Sequence, residues 1–170
     1  FQSEVKPLLS LKGAFAPNAV YTLAQVSALV KFGAARGVRV VAEFDMPAHT
    51  SAWGDGYPEI MVACPPTSQT RSKLHALTGC DDRFCQIEKI PWAMNPIANS
   101  TFLFLEELLP EVWSVFTDQF MHFGGDEATE ECWHFDPTIS ASGKHRAELQ
   151  GEFTRRVQSF AKQHGKTAVL

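Results

Sequence analysis

The sequence lacks any concentrated run of positive charge. Acidic residues outnumber Lys and Arg by 19 to 15 over 170 residues, which gives a formal net charge of −4. Long hydrophobic runs are missing too: the best one, 38–44, is interrupted by Arg39 and Glu43, and it is far shorter than the roughly 18 residues that span a bilayer. We therefore expect neither a nucleic-acid partner nor a membrane span.

Short motifs of nucleotide and metal sites are also absent. The sequence has no GxGxxG or GxxxxGK[ST] phosphate loop, no HExxH or HxH pair, and no CxxC pair among its four cysteines. These absences argue against a nucleotide-binding protein, a zinc finger and a thioredoxin-like redox centre. We expect no cofactor and no resident metal.

The cysteines and one sequon give the only indication of a compartment. An even number of cysteines favours two disulfides, and Asn99-Ser100-Thr101 is an N-glycosylation sequon. Together they favour the secretory pathway, with a lysosomal, vacuolar or extracellular destination. The alternative is buried free thiols and a chance sequon in a cytosolic protein. The cysteines are Cys64, Cys80, Cys85 and Cys132.

Hydrophobic periodicity and capping signals predict helices that alternate with strands. Thr22 marks the start of the first helix and Gly37 its end, whereas Pro110 should kink the second helix or split it in two. Residues 1–20 and 50–100 show little periodicity, which indicates a long loop and a long inserted loop. The predicted elements are a helix from Thr22, a strand over 38–44, a helix over 101–116, a strand over 119–123, a helix over 147–164 and a strand that starts at Thr167.

This order favours parallel βαβ units in an α/β protein of one domain. Two architectures fit, a doubly wound sheet and part of a (β/α)₈ TIM barrel, and both have their active sites at the carboxyl ends of the strands. The chain begins with Phe1 rather than Met, and its final apolar run starts just after Gly165 and stops at Leu170. We therefore expect residues 1–170 to be an internal fragment of a longer chain.

Carboxylates collect where the two complete predicted strands end. Glu43 and Asp45 share one face of the first strand, and His49 follows them. Asp126 and Glu127 follow the second strand after a Gly-Gly pair, whose backbone freedom allows both carboxylates to turn toward one crevice. Two such carboxyls repel each other when both are ionised, so one tends to keep its proton. The pattern predicts one acid and one anion.

Five stretches carry a resemblance to a known family. They are VAEFDMPAHT at 41–50, Trp53-Gly54, Asp118-Gln119-Phe120, HFGGDE at 122–127 and Cys132-Trp133. In this order and spacing they resemble the family-20 glycoside hydrolases, the β-N-acetylhexosaminidases, over most of the chain. The resemblance implies a (β/α)₈ catalytic barrel, to which this chain contributes about strands three and four with their flanking helices and the start of strand five.

The resemblance also implies a reaction and a role for each site residue. Glu127 would be the general acid, and Asp126 would orient and stabilise the 2-acetamido group of the substrate while its oxygen attacks the anomeric carbon. Terminal non-reducing N-acetylhexosamine would then leave its glycan by a retaining, substrate-assisted mechanism without an enzyme nucleophile. His49 would hydrogen-bond the acid, with Asp45 and Glu43 as supports at the strand end.

The family also bears on Ala48 and on the cysteines. Ala48 stands where the family usually has glycine, and if this position required a positive φ, alanine would displace His49. Four cysteines allow three connectivities. Cys64 and Cys132 follow neighbouring strand ends, and the resemblance supports a bridge between them, with Cys80 and Cys85 left to close a small loop in the inserted segment.

Other interpretations of the same residues stay open. His122 lies within an apolar strand, where a hydrogen-bonded core histidine is as good an interpretation as a supporting residue of the site. A metal-dependent hydrolase on the same barrel could use oxygen and nitrogen ligands from both strand ends, and a non-catalytic homologue could bind N-acetylglucosamine without turnover. The implied partners are an N-acetylhexosamine-containing glycan and, for the full-length protein, a second subunit in a homo- or heterodimer. The ligand set of the metal-dependent alternative would be Asp45, His49, His122, Asp126 and Glu127.

Overall fold

The computed structural model describes residues 1–64, 90–128, 133 and 136–170. None of the helices in these ranges combines the length and the apolar character needed to cross a membrane. The elements are α1 (Leu8–Gly13), α2 (Leu23–Ala34), α3 (Ser51–Gly54), the 3₁₀ helix Pro58–Ile60, β1 (Met61–Cys64), β2 (Ile90–Met94), α4 (Asn99–Val115), β3 (Phe120–His122), α5 (Pro137–Ser142), α6 (Arg146–Gln163) and β4 (Thr167–Val169).

The three long predicted helices are confirmed as α2, α4 and α6. Helix α2 begins with a capping box, in which Thr22 Oγ1 accepts the Gln25 N–H at 3.2 Å and the Gln25 side chain accepts the Thr22 N–H at 2.9 Å. Helix α4 continues through Pro110, so the prediction that proline splits this helix is wrong. Proline removes one backbone donor there, but buried apolar side chains on both sides of it, such as Leu108 and Val112, hold the helix against the core.

Short elements occur in both regions that the sequence analysis interpreted as loops. Helix α1 lies within residues 1–20, and β1 pairs antiparallel with β2 so that Met61 faces Met94. The loop predicted over 50–100 is therefore structured at both ends. The six residues of α1 are too few for an apolar stripe to recur, and β1 and β2 are apolar throughout rather than alternating. Short apolar runs do not by themselves distinguish a strand from a buried helix segment, which is why the sequence does not indicate these elements.

Three parallel segments form the centre of the fold. Strand β3 pairs in parallel with β4, as Phe120 with Thr167 and His122 with Val169. On its other side it meets residues 42–46, through hydrogen bonds of 3.0 Å from Phe44 N to His122 O and from His122 N to Ala42 O. The strand predicted over 38–44 thus forms only at its carboxyl end, because β3 begins at Phe120 and offers no earlier partner.

Opposite ends of these segments have different chemistry. At the amino ends, Arg39 donates two hydrogen bonds of 2.7 Å to the Asp118 carboxylate, and Lys166 donates to the Asp118 carbonyl at 2.7 Å. The Arg39 hydrogen bond, with the Phe120 N–H, lowers the pKa of Asp118 to about 2. The carboxyl ends lead instead into the loops that hold the predicted site. Helices α4 and α6 cover the segments with an apolar core that includes Leu109, Val112, Met121, Phe123, Phe153 and Val157.

Candidate active site

The loop after the first parallel segment presents His49. It begins with a cis peptide between Met46 and Pro47, and the buried Thr50 hydroxyl closes it by donating to Pro47 O at 3.0 Å. Strand β2 supports the loop through a 2.8 Å hydrogen bond from Met94 N to the same carbonyl. The positive φ in this loop, 56°, belongs to His49 and not to the buried Ala48, so alanine at position 48 meets no left-handed backbone requirement.

The His49 ring gathers three of the predicted carboxylates. Its Nε2 lies 3.3 Å from Glu127 Oε2, 3.7 Å from Asp126 Oδ2 and 3.8 Å from Asp45 Oδ2. His49, Asp126 and Glu127 are exposed, whereas Asp45 is only 23% exposed. The structure therefore brings together four predicted site residues from two strand ends.

Gly124 and Gly125 allow the Asp45 carboxylate to lie against the backbone that leads to Asp126 and Glu127. Gly124 has a φ of 64°, and a Cβ added to it would lie 1.8 Å from Asp45 Oδ1. The next residue, Gly125, has a φ of 114° and donates its N–H to the same oxygen at 3.0 Å. The Asp45 carboxylate thus occupies the space that a side chain at position 124 would need, and Glu127 follows in a left-handed conformation with a φ of 52°.

The surroundings of Asp45 alter the proton affinity of its carboxyl. Burial raises its pKa above the ordinary value, and Asp126 raises it further through its charge and a hydrogen bond. The Gly125 N–H and His49 act in the opposite direction. One acid and one anion at Asp126 and Glu127 stay a prediction, and the structure adds Asp45 as a carboxyl that favours its protonated form.

His122 and Glu43 form a second contact at the glycine pair. His122 Nδ1 accepts the Gly124 N–H at 3.0 Å and lies 3.6 Å from Glu43 Oε1. An Nδ1 that accepts a hydrogen bond leaves the ring proton on Nε2 when the ring is neutral. His122 is half-buried and supports the backbone of the glycine turn, while Glu43 is exposed beside it.

An open cleft of about 550 Å³ extends from this turn. Two of its lining residues, Gln150 and Thr154, lie on α6 and were not predicted. A single glutamine or threonine on an amphipathic helix carries no local signal, so only the three-dimensional placement identifies them. The lining comprises Glu43, His122, Gly124, Gly125, Asp126, Gln150, Thr154 and Leu170.

Part of the predicted metal set is also grouped. Asp45, His49 and Asp126 each offer one ligand atom, and these atoms lie within 4.8 Å of one another. Such mixed oxygen and nitrogen ligands suit a divalent ion. The metal-dependent alternative therefore keeps three of its five candidate ligands.

The remaining predicted residues are those of the sequon and the cysteines. Asn99 is exposed at the first position of α4, while the hydroxyl of Thr101 in the same sequon is buried and donates to Ile60 O at 3.2 Å. Cys64 ends β1. Cys80, Cys85 and Cys132 lie outside the described residues, so the pairing of the cysteines stays a prediction.

Comparisons with known proteins point to one family. The model of the glycosyl hydrolase family 20 catalytic domain matches residues 1–170. The chain is 35% identical over 160 residues to the β-hexosaminidase subunit beta of Felis catus, which covers 94% of this chain and 27% of that protein. It is 37% identical over 139 residues to the Homo sapiens subunit beta, which covers 82% and 22%. The chain thus spans about a quarter of the length of these curated relatives.

Solved structures agree in fold. Flavobacterium johnsoniae chitobiase matches with a TM-score of 0.76 and 26% identity, over 98% of this chain and 24% of that one. The β-N-acetylhexosaminidase of Bacteroides fragilis matches with a TM-score of 0.75 and 26% identity, over 98% and 32%.

Proposed function

The chain belongs to glycosyl hydrolase family 20, and from this premise we propose that it is the part of a β-N-acetylhexosaminidase that carries the general acid and the stabilising carboxylate. The full-length protein would remove terminal non-reducing N-acetylhexosamine from glycans. Relatives named β-hexosaminidase support this activity. The catalytic pair would be Glu127 and Asp126.

In the proposed reaction the substrate supplies its own nucleophile. The carbonyl oxygen of the 2-acetamido group bonds to the anomeric carbon while the bond to the leaving oxygen breaks, and Glu127 gives its proton to that oxygen. Asp126 orients the acetamido group and stabilises the positive charge that develops on it. Water then attacks the anomeric carbon and gives up a proton to Glu127, while the bond from that carbon to the acetamido oxygen breaks and restores the acetamido group. Each step inverts the anomeric carbon, so configuration is retained overall.

One observation carries this proposal: His49 Nε2 lies 3.3 Å from Glu127 and 3.7 Å from Asp126. A single imidazole that reaches both carboxyls can orient the side chain of Glu127 and interact with the negative charge of Asp126. Asp45 supports the pair through the glycine turn that precedes it, because its Oδ1 accepts the Gly125 N–H at 3.0 Å.

The proposal extends to the architecture around the site. Residues 42–46, β3 and β4 would be about strands three, four and five of the (β/α)₈ barrel, an assignment supported by their parallel order and by the similarity to family-20 structures. The rest of the barrel would come from the remainder of a longer chain.

The proposal also covers the cell compartment and the assembly of the full-length protein. The even number of cysteines and the exposed Asn99 favour a glycosylated protein of the secretory pathway, lysosomal, vacuolar or extracellular. Because relatives are named as subunits alpha and beta, we propose that the full-length protein forms a homo- or heterodimer.

An assay of the full-length protein tests the activity. We expect it to release the aryl group from an aryl N-acetyl-β-glucosaminide, to give the β-anomer of the sugar first, and to keep its rate after treatment with EDTA. Loss of activity on chelation and its recovery with zinc would instead favour the metal-dependent hydrolase that Asp45, His49 and Asp126 could serve. Binding of an N-acetylglucosamine oligomer without turnover would favour the non-catalytic homologue.

A further inference from the structure

Three hydrogen bonds restrain the backbone of Gly124 and Gly125, which directly precede the two proposed catalytic carboxylates. Gly124 N–H donates to His122 Nδ1 at 3.0 Å, and Gly125 N–H donates to Asp45 Oδ1 at 3.0 Å. The Gly125 carbonyl accepts a hydrogen bond from Gln150 Nε2. Gly125 thus makes a hydrogen bond through each of its backbone polar groups. Its N–H binds Asp45 and its carbonyl binds Gln150 on α6.

These hydrogen bonds matter because the turn has an unusual backbone conformation. Positive φ angles occur at Gly124, Gly125 and Glu127, and a left-handed conformation is unfavourable at a non-glycine residue such as Glu127. The Asp126 and Glu127 side chains are 69% and 74% exposed, so packing of their own does little to orient them. Their direction therefore depends on the peptide groups that precede them as well as on His49.

Gln150 is well placed to supply that control. It lies on α6, next to Leu149 on the apolar stripe by which this 18-residue helix is anchored in the core. Its half-buried side chain lines the same cleft as Asp126. A donor fixed on a rigid helix restrains its acceptor better than one on a loop.

We propose that Gln150 is a positioning residue, which holds the Gly125 carbonyl and thereby sets the direction of Asp126 and Glu127. Its effect on catalysis rests on the proposed hexosaminidase activity, whereas its effect on the backbone does not. The two consequences are therefore measured separately.

Hydrogen exchange of the full-length protein tests whether Gln150 restrains the backbone at Gly125. Gln150→Leu removes the donor at similar volume, and Gln163→Leu, at an exposed position on the last turn of α6, is the matched control. We expect faster amide exchange in peptides that cover 120–128 for Gln150→Leu and unchanged exchange for the control. Equal exchange in wild type and Gln150→Leu would overturn the proposal, whether or not the protein is a hexosaminidase.

Kinetics test the consequence for the site. We expect Gln150→Leu to lower kcat about 10- to 100-fold at every pH with little change in KM, because misplacement of a catalytic group costs this much. Gln150→Glu can donate to the carbonyl only when it is protonated, so its kcat relative to wild type should rise as the pH falls from about 6.5 to about 4.

Each kinetic outcome has a distinct meaning. If Gln150→Leu showed faster exchange but kept the wild-type kcat, the positioning role would be overturned. The same would follow if kcat relative to wild type were independent of pH in both Gln150→Leu and Gln150→Glu. An inactive wild-type protein would contradict the proposed function, and the exchange experiment would still decide whether Gln150 holds the turn.

Discussion

Gly124 lies so close to the Asp45 carboxylate that an added Cβ would be 1.8 Å from Oδ1. We predict that Gly124→Ala displaces Asp45, opens the contacts around His49 and lowers kcat by at least about tenfold. Gly143→Ala is the matched control, because Gly143 has nearly the same φ, 66° against 64°, but an added Cβ there meets nothing within 4 Å.

Steady-state kinetics and urea unfolding of both variants separate the two effects. Both should lose about 1–2 kcal/mol from the left-handed backbone, and only Gly124→Ala should lose kcat. Similar kinetics for the two variants would show that the contact with Asp45 does not shape the site.

The raised pKa of Asp45 makes a prediction about stability and pH. Its folded-state pKa lies above the ordinary value of 3.8, so between the two values the folded state binds more protons than the unfolded state. The free energy of unfolding therefore decreases as the pH rises through this window, and the group has no such effect below it. Asp45→Asn removes the titration and keeps an oxygen for the Gly125 N–H.

We thus expect the stability of Asp45→Asn relative to wild type to improve as the pH is raised from about 4 to about 7. Urea unfolding at several pH values gives this difference directly. A difference that is independent of pH, or that becomes less favourable toward neutral pH, would mean that burial does not hold the proton on Asp45.

The site shows how far residues can be predicted from the sequence. Asp45, His49, Asp126 and Glu127 stand out because acidic residues, histidine and a glycine pair follow two strands, and parallel strands bring such ends together. The contact of Asp45 with the glycine turn goes together with positive φ angles at Gly124 and Gly125. No pattern in the sequence fixes those angles.

Among the secondary-structure elements, α2 offers a direct test of local stabilisation. Thr22→Ala removes the side-chain half of the capping box, and we predict a loss of about 1 kcal/mol in the free energy of unfolding. Ser27→Ala, in the middle of the same helix, removes a hydroxyl without removing a cap and should be neutral or slightly stabilising. Urea denaturation of both variants measures the contrast, and equal effects would show that the cap contributes nothing.

Helices and strands differ in how well the sequence predicts them. Helices α2, α4 and α6 have 12, 17 and 18 residues, long enough for an apolar stripe to recur several times. The first predicted strand, over 38–44, has the amino-acid composition of a strand. Its backbone hydrogen bonds to β3 nevertheless start only at Ala42, because β3 begins at Phe120. Strand pairing depends on distant residues, and therefore on information that no local window contains.

At the scale of the whole molecule, the cysteines provide a check on how the loops are arranged. We predict that non-reducing peptide mapping of the full-length protein recovers Cys64 joined to Cys132 and Cys80 joined to Cys85. The first bridge would link the end of β1 to the sequence shortly after Glu127, and so would hold the two halves of the site together. Recovery of Cys64 joined to Cys80 or Cys85 would contradict this arrangement.

The central claim is that Glu127 is the acid and Asp126 the stabilising anion of a substrate-assisted hydrolase. Leaving-group dependence separates these roles, because an activated aryl group departs without a proton whereas a sugar does not. The test compares Glu127→Gln and Asp126→Asn in the full-length protein on an N-acetylglucosamine disaccharide and on an activated aryl N-acetylglucosaminide.

The most direct measurement is the ratio of kcat for these two substrates in each variant. We predict that Glu127→Gln loses orders of magnitude on the disaccharide but much less on the aryl substrate, while Asp126→Asn loses comparably on both. Equal losses on both substrates in both variants would contradict the account, and rescue of Asp126→Asn but not of Glu127→Gln by the activated leaving group would show that the two roles are reversed.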